Sequence, residues 1–281
     1  RVMVTLLKAC GDCAACRDRD PSSCAHAWDE PSVRITGRDG EEILQAMNTG
    51  AFAEQVVVHH SQCQRLDERI PFDAASLLSC GVITGVGAVL NSSSLKAGQS
   101  CLVIGVGGVG LNAVQGARMV GASTIIALDV NRDKLEAARA FGATHVVSGG
   151  GDAVREVFEA NGGRGVDVVF VTVGVGAVYR SAPDFLDVRG QLVMVGMTPS
   201  GTEVGYSPTH IAAMNQQLVG SRMGRTNLSR DVPGLLDAYH EGRLKLDELV
   251  THRFALDRIN EAIAMSRSGD ALRSVIVFDD G

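Results

Sequence analysis

Residues 101–110 read CLVIGVGGVG, and residues 124–130 read TIIALDV. The run 101–106 is continuously apolar, the pattern of a strand buried on both faces. It runs into Gly105-Val106-Gly107-Gly108-Val109-Gly110, the spacing G-x-G-x-x-G, and residues 109–120 keep helical spacing. Alone this spacing is weak, because glycine-rich stretches are common. After a strand and at the start of a helix it has the context of a dinucleotide fingerprint. Gly105 permits the tight turn, Gly107 lets the backbone approach a pyrophosphate, and Gly110 lets helix and strand pack closely. The helix N-terminus then offers free N–H groups and a favourable dipole to phosphates. Asp129 ends the second strand, 19 residues after Gly110. A carboxylate there accepts from the adenosine ribose hydroxyls and repels a 2′-phosphate, which points to NAD over NADP; the alternative is a solvated strand-end acid. Lys134 is either a ribose contact or ordinary helix surface. Gly174 and Gly176 either let the backbone approach the nicotinamide half or form a plain turn.

Working outward, strand–helix alternation continues. Arg132–Phe141 reads as a helix ended by Gly142. The runs 145–148 (HVVS), 166–173 (VDVVFVTV), 191–197 (QLVMVGM) and 217–223 (QLVGSRM) read as further strands. Six parallel strands with crossover helices make an α/β, Rossmann-type doubly wound sheet. QLVMVGM is expected near one edge, where bare strand invites pairing with a second copy. Further on, Val232, Leu235, Leu236 and Tyr239 keep helical spacing, as do Ile259, Ala262 and Ile263, and SVIVF (274–278) closes as a strand. The first 80 residues have another texture: strands at Val2–Leu7, Phe52–His60 and Gln64–Leu66, a cysteine loop, and a short helix opened by Pro71.

The cysteine loop is CGDCAACRDRDPSSC, with Cys10, Cys13, Cys16 and Cys24 spaced C-x2-C-x2-C-x7-C. Thiolates this close on a short loop suit a tetrahedral zinc ion, with Zn–S bonds of about 2.3 Å. Disulfides belong to small secreted domains, whereas this chain has 281 residues and seven cysteines. Four thiolates leave no open coordination position, so the metal is read as a structural brace. His26 stands beside the loop, but four thiolates already satisfy the ion. His59 and His60 read as strand residues, one facing in and one out. Cys63 and Cys101 read as packing residues.

Bulk composition bounds the function. Lys and Arg number 26 against 32 Asp and Glu, a net charge of -6, which argues against a zinc module gripping nucleic acid. Mean hydropathy is +0.12, and no apolar run reaches the roughly 20 residues of a membrane span. No secretory leader is recognised, and thiolate ligands need reducing conditions, so a cytoplasmic location is expected. The chain opens on Arg1 within what reads as a strand, and is expected to be N-terminally incomplete.

Taken together, these parts resemble the zinc-dependent medium-chain alcohol dehydrogenases over essentially the whole chain. CGDCAAC with Cys24 is similar to that family's structural-zinc lobe, LLSCGVITGVGAVL to its segment carrying a catalytic-zinc cysteine, and residues 103–147 to its coenzyme-binding segment. GRLKLDELVTHRFALDRINEAI and ALRSVIVF are similar to its closing segments. The resemblance implies a dinucleotide domain at 82–224 and a mostly β, GroES-like catalytic domain formed by 1–81 and 225–281. It implies that Cys80 is a catalytic-zinc ligand and that Thr84 lies near the nicotinamide. Gly105, Gly107, Gly108, Val109 and Gly110 would hold the pyrophosphate, Asp129 and Lys134 the ribose, and Arg273 the pyrophosphate. Where the chain departs from the family is also informative: a second zinc-binding cysteine with its hydroxyl relay, and a Gly-His-Glu segment, are missing from these 281 residues. The expected function is zinc-dependent hydride transfer between NAD and an alcohol or aldehyde in a homodimer or homotetramer, the chain alone being inactive. The alternative is a non-catalytic NAD-binding protein with a structural zinc.

Overall fold

The computed structural model describes residues 1–29 and 35–278. Backbone packing divides the chain into two compact units, Arg1–Cys80 with Thr226–Gly281, and Gly81–Arg225.

In the first unit, β1 (Val2–Val4) is followed by the cysteine loop with its single turn α1 (Ala14–Arg17), and then by the short ladder of β2 (Ile35–Thr36) and β3 (Glu42–Ile43). β4 (Cys63–Arg65) pairs antiparallel with β1, Val2 opposite Arg65 and Val4 opposite Cys63. The strand expected over 52–60 is not formed. Its backbone groups find no partner strand among the described residues, and a strand without a ladder leaves those groups unpaired. Val57 accordingly remains exposed. His59 instead caps a 3-10 turn over His60–Gln62, its side chain accepting from the Ser61 N–H. α2 (Phe72–Leu77) starts after Pro71, as expected, and buries Ala74, Ala75 and Leu77.

The helical course does not stop there. A π-helical turn at Leu78–Val82 leads into α3 (Ile83–Gly87) and a second π-helical turn at Ala88–Ser92. By length and composition alone Phe72–Ser92 could cross a membrane, contrary to the sequence expectation, but 72% of its apolar window is buried within the protein. Most of its apolar side chains serve as core, Phe72 and Leu90 being exposed.

The second unit is a six-stranded parallel sheet. Its strands are β5 (Ser100–Ile104), β6 (Thr124–Asp129), β7 (His145–Ser148), β8 (Val166–Val171), β9 (Leu186–Met194) and β10 (Gln217–Gly220), in the order β10-β9-β8-β5-β6-β7. The chain enters mid-sheet at β5, moves out to β7, then returns to β8 beside β5. That reversal is the switch point at which doubly wound sheets bind ligands, at the carboxyl ends of the strands. The helices are α4 (Gly108–Val120), α5 (Arg132–Phe141), α6 (Ala153–Ala160), α7 (Gly176–Ser181) and α8 (Pro208–Ala213). Leu102, Ile126, Val169, Val171 and Leu192 are fully buried in the core of the sheet. Each contributes about 1.5–3 kcal/mol relative to exposure. β9 starts five residues before QLVMVGM and is paired on both sides, so the bare edge on that flank belongs to β10.

The chain then completes the first unit with α9 (Leu228–His240), β11 (Val250–Phe254), α10 (Ile259–Ser268) and β12 (Arg273–Ile276). Val232, Leu235 and Leu236 are buried on α9, and β11 and β12 pair in parallel.

Candidate zinc centre and nucleotide site

The Sγ atoms of Cys10, Cys13, Cys16 and Cys24 all lie within 4.8 Å of one another, and those of Cys13 and Cys24 are 3.9 Å apart. Sulfurs at the corners of a tetrahedron with bonds of about 2.3 Å stand roughly 3.8 Å apart, so this donor set fits zinc. Backbone N–H groups are aimed at the sulfurs: Cys10 N–H at Cys24 Sγ (3.3 Å), and Asp12 and Cys13 N–H at Cys10 Sγ (3.4 and 3.3 Å). The N–H groups of Ala25 and Cys16 hold the Cys13 thiol down to about 6, and those of Asp12 and Cys13 lower Cys10, whereas burial pushes Cys16 up to about 12. Four thiolates on one Zn²⁺ carry a net charge of about -2. Lys8, Arg17 and His26 line the same recess together with Asp12 and Asp29, which pair with Arg17 and His26. His26 pairs with Asp29 at 2.8 Å.

The nucleotide fingerprint is built on the β5–α4 turn. Gly105 has φ +88°, a left-handed conformation natural to glycine, and its N–H donates to Leu128 O at 2.7 Å. A Cβ on Gly110 would lie 1.9 Å from Gly105 O, so only glycine lets α4 approach the turn. Gly107 differs: a Cβ there would meet nothing within 4 Å, so its side faces open space at the start of α4. Open space bordered by helix N–H groups is a cradle fitted to phosphate.

Asp129 ends β6 with both carboxylate oxygens engaged. Oδ2 accepts from Val106 N–H and Oδ1 from Asn131 N–H, each at 2.9 Å. The carboxylate therefore belongs to the fingerprint turn and is not a free strand-end acid. Asn131 also caps α5, accepting from Asp133 and Lys134 N–H. Gly174 has a packing reason of its own, since a Cβ there would lie 1.9 Å from Met197 O.

Cys80 is exposed, on the first π-helical turn. Arg273, at the start of β12, is largely buried, and that burial lowers its pKa, opposed in part by the nearby Cys80. Among the described residues, the four loop cysteines form the single group of three or more His, Cys, Asp or Glu side chains able to hold a metal. Cys80 has no such companions and does not by itself fit a second zinc.

Thr84 is 8% exposed, and its hydroxyl donates to Met223 Sδ at 3.6 Å. Met223, Gly224 and Arg225 form a left-handed turn with φ 48°, 64° and 47°, pressed so closely on α3 that a Cβ on Gly224 would lie 2.1 Å from Ile83 O. Sequence reasoning missed this turn; the single glycine in SRMGRT gives only a faint signal. It also missed Thr172, whose hydroxyl donates to Gly105 O.

Comparison with known proteins joins the two centres. The zinc-binding dehydrogenase family model matches residues 108–241. The class-3 alcohol dehydrogenase of Cereibacter sphaeroides is 31% identical over 96% of this chain and 76% of its own length. A solved alcohol dehydrogenase zinc-binding domain protein from Burkholderia ambifaria superposes with TM-score 0.93 at 29% identity, over 99% of this chain and 77% of that one. A structure described as a zinc-binding dehydrogenase from Sinorhizobium meliloti 1021, bound to NADP, matches with TM-score 0.73 at 25% identity, over 94% and 72%. This chain thus spans about three quarters of the length of such relatives. With a Rossmann sheet, a glycine fingerprint and a four-thiolate loop in one polypeptide, the chain belongs to the zinc-dependent medium-chain alcohol dehydrogenase family of oxidoreductases.

Proposed function

We propose that this chain binds NAD at the β5–α4 turn, carries a structural zinc on Cys10, Cys13, Cys16 and Cys24, and serves hydride transfer between NAD and an alcohol or aldehyde. The single observation that carries the nucleotide reading is the Asp129 carboxylate, tied to the fingerprint by Val106 N–H. Its negative charge favours a ribose diol and disfavours a 2′-phosphate, so NAD is preferred here although one relative binds NADP. The N–H groups at the start of α4, around Gly107, Gly108 and Val109, take the pyrophosphate. Lys134, half-buried on α5, reaches the ribose, Thr84 borders the nicotinamide, and Arg273 is a phosphate contact. Hydride exchange at the nicotinamide is the chemistry the bound cofactor supplies.

Cys80 is proposed as a ligand of a catalytic zinc. Among the described residues it stands without companion ligands, and the 281 residues by themselves are expected not to oxidise alcohols. The chain is proposed to be cytoplasmic and to form dimers through β10. Among the described residues no strand pairs with its outer edge, and the neighbouring α8 buries none of its residues. The test is titration of NADH against NADPH by nucleotide fluorescence, with zinc analysis and an alcohol-plus-NAD assay on the same preparation. NADH binding, one zinc per chain and no turnover are expected. Failure to bind either nucleotide, or NADH formation from a simple alcohol, overturns the corresponding part.

A further inference from the structure

Thr172 follows β8 and faces the fingerprint turn from the neighbouring strand. Its backbone N–H donates to Ile104 O at 3.0 Å, extending the β5–β8 ladder. Its Oγ1 lies 3.2 Å from Ile104 O and closer to Gly105 O. A hydroxyl has one proton to give, and the nearer acceptor, Gly105 O, takes it.

Gly105 O belongs to the Gly105–Val106 peptide. In a trans peptide the C=O and N–H point in opposite directions. Here the C=O is held by Thr172, and the N–H, on Val106, donates to Asp129 Oδ2 at 2.9 Å. One peptide plane is therefore gripped at both ends, by a hydroxyl from β8 and a carboxylate from β6. The grip matters because Gly105, at φ +88°, lacks the Cβ that would restrict rotation of this peptide in other residues. Asp129 has one further tie, Oδ1 to Asn131 N–H. Rotation of the 105–106 peptide would free Oδ2 and let the carboxylate turn about that remaining bond.

We propose that Thr172 is a positioning residue for cofactor choice: by fixing the Gly105–Val106 peptide, its hydroxyl holds the Asp129 carboxylate in the orientation that accepts a ribose diol and excludes a 2′-phosphate. The inference rests on the NAD reading above. Thr172 itself touches no cofactor atom; it acts through one peptide.

NADH and NADPH are titrated by fluorescence into the full chain, its Thr172→Val variant and its Thr172→Ser variant, with melting temperatures measured alongside. Valine keeps the shape of threonine and removes the hydroxyl; serine keeps the hydroxyl. Thr172→Val is expected to weaken NADH binding about tenfold, the scale of one lost hydrogen bond with an orphaned acceptor, and NADPH binding by less than about threefold. Thr172→Ser is expected to restore the wild-type ratio to within about twofold. If Thr172→Val leaves the NADH-to-NADPH ratio unchanged, whether or not both affinities fall together, Thr172 is merely structural and the inference is overturned. Should the valine variant not fold, Thr172→Ala is read in the same way. A wild-type chain that binds neither nucleotide, or prefers NADPH, instead overturns the NAD reading.

Discussion

Two glycines of the fingerprint, three residues apart, should respond to the same substitution in opposite ways. In Gly110→Ala the new Cβ falls 1.9 Å from Gly105 O and 2.9 Å from Thr172 Oγ1, where ordinary contact begins near 3.4 Å, so backbone must move by about 1.5 Å. Overpacking of this kind costs about 1–3 kcal/mol, and the obstacle is backbone rather than a pliable side chain, so the upper end is expected. At about 2–4 °C per kcal/mol for a protein of this class, the melting temperature should fall by about 6–12 °C. In Gly107→Ala the Cβ meets nothing within 4 Å, and the residue has φ −74°, open to alanine. Only the poorer helix cap is lost, about 1 kcal/mol or less. The same Cβ, however, stands in the space assigned to the pyrophosphate. NADH affinity should drop by about a hundredfold or more, since a methyl excludes the close approach that the phosphate contacts need. Differential scanning fluorimetry and NADH titration on both variants read the two effects separately. Wild-type NADH affinity in Gly107→Ala would refute the placement of the phosphates. A stable Gly110→Ala would refute the packing argument.

Other outcomes follow from the remaining sites. Cys10→Ser should lower zinc from one per chain to none by elemental analysis, and lower the melting temperature by about 5–10 °C, the loss expected when a ligand held at about a hundred times its Kd is removed. Asp129→Asn should reduce the preference for NADH over NADPH by about tenfold in parallel titrations, and, because its NH2 must face one of the two N–H groups that the carboxylate accepts from, should also cost about 1–3 kcal/mol and lower the melting temperature. Burial by itself raises the Asp73 carboxyl, but the Arg253 guanidinium, with Nε 2.9 Å from Oδ2, and the Ala74 N–H outweigh it, and the net pKa is below the ordinary value. The pair's contribution is therefore present above the unfolded-state pKa of about 4 and is lost as pH falls through the depressed folded value. With Arg253 half exposed, Arg253→Gln should cost less than about 1 kcal/mol at pH 7, and the gap between the melting temperatures of the two proteins should narrow as pH falls below the ordinary carboxyl range.

The parts of this molecule legible in the sequence are those whose cause is local. The run 101–106 is apolar because β5 is covered on both faces, and α5 appears at its expected ends because Asn131 and Gly142 sit at its two caps. The cysteine loop announces itself because four ligands must lie within a few residues of each other. What the sequence hides depends on partners remote in the chain. Residues 52–60 have the composition of a strand, yet being a strand requires another strand to pair with, which composition does not report. The left-handed turn at 223–225 packs closely on α3, a contact between residues far apart in the chain, and nothing in LLSCGVITGVGAVL marks the π-helical turns that flank α3. Thr172 lies between these cases. In VDVVFVTV it is one β-branched residue among several, with nothing to set it apart. Once β8 is aligned with β5 in parallel, Cys101 opposite Val168 and Ile104 opposite Val171, the next residue must fall beside Gly105. Its hydroxyl then meets the Gly105 carbonyl of the fingerprint turn. The chemistry at that position comes from strand register, and register is set by the pairing of two buried, mostly apolar strands, β5 and β8.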